Sequence, residues 1–362
     1  MLAASITFSG ACAADGGWPD WDHYSERFVQ DDGRVIDLTF DQKSTSEGQS
    51  YGMFFALVAN DRARFDRIYH WANDNLAEHQ LGERLPAWLW GQRNGDDWGV
   101  KDDNAAADGD LWMAYDLLEA GRLWKAPQYE AVGRKLLAKV KEKEVVDAGK
   151  AGTLLLPGPV GFDLGGGRYR IDPSYLPQFQ LRYFAVVDPK GPWQAILDSY
   201  RKLQPQLFAK GVAPDTAIVT RDGQVLPDTE RKPSGSYDAI RVYLWTGMTP
   251  GAADEARALR HYAELTKERG APPEKVDPTR GKPMEGDFSP TGFSGALLPF
   301  LSTLGDGATL KAQQQRLLAE ALKQKLHDGS AYYDQSLILF GKGWLDGQYH
   351  FDADGKLQPR WH

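Results

Sequence analysis

The sequence predicts an all-α chain folded as one domain, and three observations carry that expectation. Apolar residues recur with a helical period in about twelve segments. Only three short runs read as strands, at 34–37 (RVID), 153–157 (TLLLP) and 216–220 (TAIVT). These runs do not alternate with helices as a doubly wound sheet requires. A chain of 362 residues is long enough for two domains, but no low-complexity stretch reads as a flexible linker. The region 15–362 is therefore read as a single domain.

In chain order, residues 1–14 come first. The stretch "MLAASITFSGACAADGG" is short, apolar and closes on Ala11-Cys12-Ala13. It reads as the end of a secretory signal peptide with an A-x-A cleavage site, lacking the positively charged start. A periplasmic or secreted location is the expectation. Cys12 is the only cysteine, so no disulfide can form within the chain. A helix is expected near 20–30. In "SEGQSYGMFFALV", Tyr51, Phe54, Phe55 and Val58 fall at i, i+3, i+4 and i+7. Ser46 followed by Gln49 has the spacing of a capping box, which starts this helix at Ser46 and puts Glu47 in its first turn.

Further helical faces follow at Phe65–Leu76, Leu111–Leu118, Val132–Val140, Tyr175–Tyr183 and Trp193–Leu203. Others lie near 236–246 and at Leu259–Ala263, Phe293–Leu304, Leu310–Leu322 and Tyr333–Trp344. The Pro/Gly-rich segments 157–167 and 269–290 read as long loops between helices.

Composition excludes several functions. The net charge is −8, so the basic footprint of a nucleic-acid binder is missing. No apolar run is long enough to span a bilayer. "DDNAAADGD" lacks the alternating oxygen ligands and final Glu of a calcium loop, and no His/Cys cluster has zinc spacing. Neither a metal nor another cofactor is expected. The chain holds 12 Trp, 15 Tyr and 15 Phe, and some tryptophans sit in polar stretches such as "GDDWGV". Such rings either complete a core or offer flat faces to sugar rings.

Three carboxylates have local explanations and a joint one. Glu47 suits the positive end of a helix dipole. Asp108 and Asp110 open the next carboxylate-rich helix and can cap it. Asp238 follows Ser234 and Ser236 and pairs at i, i+3 with Arg241, an arrangement common on helix surfaces. Jointly, three helices begin with a carboxylate after a Gly- or Ser-rich loop. In a ring of helices their N-termini can converge, and paired carboxylates in an aromatic cleft are the equipment of glycoside hydrolysis.

The segments "TSEGQSYGMFFALVAN", "ADGDLWMAYDLLEAGRLW" and "SYDAIRVYLW" resemble the three motif regions of glycoside hydrolase family 8. The segment 332–359 is similar to the C-terminal part of the periplasmic members encoded with bacterial cellulose synthase. The resemblance runs from about Trp18 to the C-terminus. It implies an (α/α)6 barrel and an inverting endo-β-1,4-glucanase acting on a β-1,4-glucan, in association with a cellulose synthase complex. By motif match, Glu47 would be the general acid and Asp238 the general base. Asp108 would hold the sugar at the cleavage point and help distort its ring. Tyr237 and Arg241 would orient the site, and Trp98 and Trp90 would be sugar-stacking platforms. One departure is Ala107, where the family pattern has Ser or Thr. Xylan, lichenan and chitosan are cleaved by relatives of the same family, and a non-catalytic glucan-binding component of an export complex is the reading from another class. An inverting mechanism would set the Glu47 and Asp238 carboxyls roughly 6.5–9.5 Å apart. The Glu47 pKa would have to rise, with burial and the neighbouring carboxylates outweighing the helix dipole.

Overall fold

The helix that opens at Ser46 runs to Val58, and every residue in it except Glu47 is buried. The stripe read from Tyr51, Phe54, Phe55 and Val58 is thus only part of what packs. A helix buried all round belongs to an interior, not to an amphipathic shell. The helix Ala107–Leu123 is buried except at Arg122, and every residue of Ala239–Met248 is buried. Glycines let them pack closely on neighbours: Gly109 meets Ser46 and Glu47, and Gly247 meets Pro299 and Phe300.

The computed structural model describes residues 17–39, 41–284, 286, 288–322 and 332–362. The expected signal segment and Cys12 lie outside them. Thirteen α-helices occur among the described residues. α1 (Pro19–Phe28) leads into the pair α2 (Ser46–Val58) and α3 (Arg62–Leu76). The pairs α4 (Ala107–Leu123) and α5 (Pro127–Lys143), then α6 (Gln178–Val187) and α7 (Trp193–Leu207), follow. α8 (Ala239–Met248) is succeeded by the short α9 (Ala253–Ala258) and by α10 (Arg260–Arg269). α11 (Thr291–Leu304), α12 (Gly307–Leu322) and α13 (Tyr332–Leu345) complete the set. α2, α4, α6, α8, α11 and α13 form the inner ring: α2 packs on α4, α4 on α6, α8 on α11, α11 on α13, and α13 returns to α2. The others lie outside, α3 on α2, α5 on α4, α7 on α6, α12 on α11 and α1 on α13. This is the expected (α/α)6 barrel, with α9 as an additional turn before α10.

Phe340 of α13 ties the inner ring together. Its ring meets Phe55 at 4.6 Å, Tyr51 at 5.0 Å, and Phe54, Trp112 and Trp245 each at 5.2 Å. Contacts of this kind contribute about 0.5–1.5 kcal/mol each beyond the area they bury, and these reach α2, α4 and α8 at once.

Several local expectations change. The run 34–37 forms no strand; Val35 makes a single bridge to Val29. The other two runs are strands, Thr153–Leu155 and Ala217–Thr220. A hairpin of Leu89–Asn94 and Asp97–Asp102 was not foreseen, because its polar, charged and glycine residues have little strand preference. Ser44–Thr45 pairs with its edge and places it beside the mouth of α2. A second unforeseen hairpin joins Tyr349–Phe351 to Leu357–Pro359. The helix read from Tyr175 begins only at Gln178, which leaves Tyr175 in a 3-10 turn.

The capping box at Ser46 is also corrected. The cap is Thr45, whose hydroxyl accepts from Gly48 N at 3.0 Å. Gln49 turns away to accept from Val35 N and donate to Gly33 O and Ile68 O, tying α2 to the preceding loop and to α3.

Gly109 sets how closely α2 and α4 begin. A Cβ on it would lie 2.6 Å from Ser46 Oγ and 2.9 Å from Glu47 N. Gly109→Ala should force the two helix starts apart and destabilise the fold by about 1–3 kcal/mol, the usual cost of overpacking. A lower urea midpoint would register it, and an unchanged midpoint would refute the close-approach argument.

Candidate active site

The three foreseen carboxylates do converge, and a buried arginine is the point on which they converge. Arg241 is 1% exposed. Its Nη1 donates to Glu47 Oε2 at 2.5 Å, to Asp108 Oδ2 at 2.8 Å and to the Tyr51 hydroxyl at 3.2 Å. Its Nη2 donates to Asp238 Oδ1 at 2.8 Å. The i, i+3 pair with Asp238 therefore exists, but it is no surface pair, because the same guanidinium reaches α2 and α4. The rings of Tyr175 and Tyr333 lie 5.4 and 5.9 Å from the guanidinium carbon, within cation–π range.

The carboxylates differ in their access to water. The side chain of Asp108 is 5% exposed, that of Glu47 17% and that of Asp238 44%. Asp108 caps no helix: Oδ2 holds Arg241 and Oδ1 accepts from Gly109 N at 2.8 Å. Burial raises its pKa against the pull of Arg241. Glu47 is raised further, to about 7. Burial is the main cause there, Asp108 and Asp238 add to it, and Arg241 and the Tyr332 hydroxyl oppose it. Tyr332 donates to Glu47 Oε1 at 2.9 Å.

Asp238 stands immediately before α8, not within its first turn. Neither Ser234 nor Ser236 caps that helix through its side chain. Asp215, reaching in from the preceding loop, accepts from Ser236 N at 2.6 Å and Ala239 N at 2.9 Å, and from Ser234 Oγ at 2.7 Å. It fixes the turn that presents Asp238.

The remaining predicted residues lie at the edge. Tyr237 is 41% exposed, so it is no core residue; its hydroxyl donates to Glu274 Oε1 at 3.0 Å and its ring meets Phe293. Trp90 and Trp98 stack on one another across the hairpin at 5.5 Å, and the Arg34 guanidinium lies 4.4 Å from the first and 5.0 Å from the second. Trp71 abuts Trp90 edge-on. Trp90 and Trp98 are both half-buried, and Trp90 is flanked by Trp71, Arg34 and Trp98.

Tyr332, Tyr333, Tyr175 and Asp215 were not read as site residues. Each is separated in the chain from the site group it touches or braces, and a lone Tyr or Asp in a loop or helical stripe carries no local signal of that role. Asp110 was read with Asp108 as a cap. It is fully buried, and it and Glu144 find no donor in any other described residue. Each raises or bears on the other's titration, and two buried carboxyls without a cation favour their neutral forms. Burial, with Asp108 adding to it, lifts Glu144 to about 8, and burial and Glu144 raise Asp110 well above the carboxylate range.

A carboxyl raised in the folded state favours folding at low pH and ceases to do so as pH climbs through the folded value. The Asp110–Glu144 pair should therefore lower stability progressively from about pH 4.5 to about pH 8. In Glu144→Gln that decline should flatten, seen as a smaller spread of thermal midpoints across this range. An equal spread in both proteins would refute the raised pKa of Glu144.

The model of glycosyl hydrolases family 8 matches residues 1–347. An endoglucanase of Xanthomonas axonopodis pv. citri (strain 306) is 44% identical over 367 residues, covering 100% of this chain and 93% of its own length. An endoglucanase of Escherichia coli (strain K12) is 42% identical over 366 residues, covering 100% and 95%. Among solved structures, the endo-1,4-D-glucanase of Vibrio fischeri ES114 superposes with a TM-score of 0.90 at 37% identity, covering 95% of this chain and 99% of that one. The endo-β-1,4-glucanase CMCax of Acetobacter xylinum superposes with a TM-score of 0.73 at 26% identity, covering 90% and 96%. A barrel whose inner helices deliver three carboxylates to one arginine thus accompanies a family match over nearly the whole chain: this protein is a glycoside hydrolase and belongs to family 8.

Proposed function

We propose that this hydrolase is an endo-β-1,4-glucanase that cleaves cellulose-type glucan with inversion, with Glu47 as general acid and Asp238 as general base. The observation that carries the reading is the graded exposure of carboxylates held by one guanidinium. Glu47, with a pKa of about 7, keeps its proton near neutral pH and can deliver it to the leaving glycosidic oxygen. Asp238 is the most open of the three and suits activation of a water molecule. Separate terminal nitrogens of Arg241 hold the two groups, and inversion requires their carboxyls to leave room for that water. Asp108, buried against Arg241, suits a group that holds the sugar at the cleavage point. Trp98, beside Trp90, suits a stacking platform.

The full-length relatives named above are endoglucanases, which supports the substrate class. A secreted or periplasmic location and a role in cellulose synthesis rest on the character of residues 1–14 and on the resemblance of segment 332–359.

With cellopentaose or carboxymethyl-cellulose as substrate, Glu47→Gln should lose roughly 10²–10⁴-fold in kcat. NMR should find the fresh reducing end as the α-anomer. Release of the β-anomer would overturn inversion, and cleavage of xylan or chitosan in place of glucan would overturn the substrate. Deletion of the gene should change cellulose yield or fibre form; unchanged cellulose would remove the biosynthetic role.

A further inference from the structure

We infer that Tyr332 and Thr45 form a reversible hydrogen-bond relay that holds Glu47 in position in both of its protonation states. The inference rests on Glu47 being the general acid. The Glu47 carboxyl has two oxygens with different neighbours. Oε2 faces Arg241 Nη1 at 2.5 Å, and a guanidinium only donates. A proton on Glu47 therefore belongs on Oε1. That oxygen faces the Tyr332 hydroxyl at 2.9 Å, which can donate or accept. Behind it, 3.1 Å away, is Thr45 Oγ1, and either hydroxyl can be the donor in that contact. Thr45 Oγ1 is itself fixed, because it accepts from Gly48 N as the cap of α2. Gly48 also makes room for the tyrosine, since a Cβ there would stand 3.1 Å from its ring.

The chain can run in two directions without moving a heavy atom. With Glu47 ionised, Thr45 donates to Tyr332 and Tyr332 donates to Oε1. With Glu47 protonated, Oε1–H donates to Tyr332 and Tyr332 donates to Thr45. When the leaving oxygen takes the proton, the Oε1–H bond breaks and a new O–H bond forms on the leaving group. The Tyr332 hydroxyl then turns toward the anion left behind. Tyr332 and Thr45 are buried, so neither direction is tolerable if it strands the tyrosine hydroxyl unpaired. Tyr332 and Thr45 are positioning residues in this scheme.

Other ionisable groups face Glu47 and remain in place in either variant. Arg241 comes from α8 and Asp238 from the residue before it, Asp108 from α4 and Tyr51 from α2 itself. Tyr333 of α13 and Tyr24 of α1 also sense its charge, and Asp37 of the preceding loop bears on Tyr332.

The test is the pH profile of kcat/KM on cellopentaose, whose alkaline limb reports the general acid of the free enzyme. Tyr332→Phe removes a donor to the anion, and the limb should move up by about half to one pH unit. Thr45→Val keeps the tyrosine but removes the acceptor it needs when Glu47 is protonated, so the limb should move down by about one unit. Thr45→Ser should return the limb to its wild-type position. A merely structural role would lower thermal midpoints without sending the limb in opposite directions. Limbs that stay still, or that both move one way, overturn the relay. Glu47→Gln in the same assay separates the two readings: hydrolysis retained overturns the acid assignment and the relay with it, whereas hydrolysis lost with unmoved limbs in the other variants overturns the relay alone.

Discussion

Arg241 is the group on which the rest of the site depends. It is a buried cation with three carboxylates on its two terminal nitrogens. A cation in that position would be prohibitive without them, and Glu47 and Asp108 would be nearly as costly without it. Removing one partner of such a buried pair typically costs about 3–5 kcal/mol, because the other charge is left unpaired. The interaction also spans α2, α4 and α8, so it registers three inner helices against each other at their N-terminal ends. The positive ends of those helix dipoles face the cluster and help to hold its negative charge. Fold and site are thus one problem: the barrel brings the helix starts together, and the arginine makes that meeting electrostatically acceptable.

The same arrangement resolves a conflict in the chemistry of Glu47. A carboxyl at a helix N-terminus and 2.5 Å from a guanidinium should be a stronger acid than usual. Burial overrides both influences and brings the group to about 7. Two further features keep burial ahead. Arg241 divides its charge among three carboxylates, so no one of them receives all of it. Asp108 lies on the same Nη1 as Glu47, so the proton that Glu47 keeps also relieves a like-charge contact. Asp238 keeps access to water, its side chain 44% exposed, and Asp215 braces its turn.

The ring of helices was legible in the sequence because period-3.6 patterns survive even where a helix is buried on every side. What the pattern could not convey was which helices are inner: the stripe at Tyr51, Phe54, Phe55 and Val58 looks amphipathic, yet Ser46, Gly48, Gln49 and Ser50 are buried too. The hairpin at 89–102 was hidden because its stability comes from tertiary placement beside Ser44–Thr45 and from stacked Trp90 and Trp98, not from strand-forming residues. Glu47, Asp108 and Asp238 were visible as first-turn carboxylates, and their motifs gave them roles. Their partners were not. Tyr332 is 285 residues from Glu47, and nothing near it in the chain marks it as the group that touches an acid.

Asp110 shows why local rules misassign such residues. Two carboxylates flanking a glycine at a helix start look equivalent and look like caps. The glycine lets α4 start close against α2, and of the two side chains only Asp108 takes a first-turn amide, that of Gly109. Asp108 is held by Arg241, whereas Asp110 is buried without a donor among the described residues, and burial with Glu144 nearby raises its pKa well above the carboxylate range. One residue therefore joins a charged cluster and its neighbour but one is held as a neutral acid. The division follows from the position of Arg241: the carboxyl within its reach is held by it, and the one beyond its reach is neutralised by a proton.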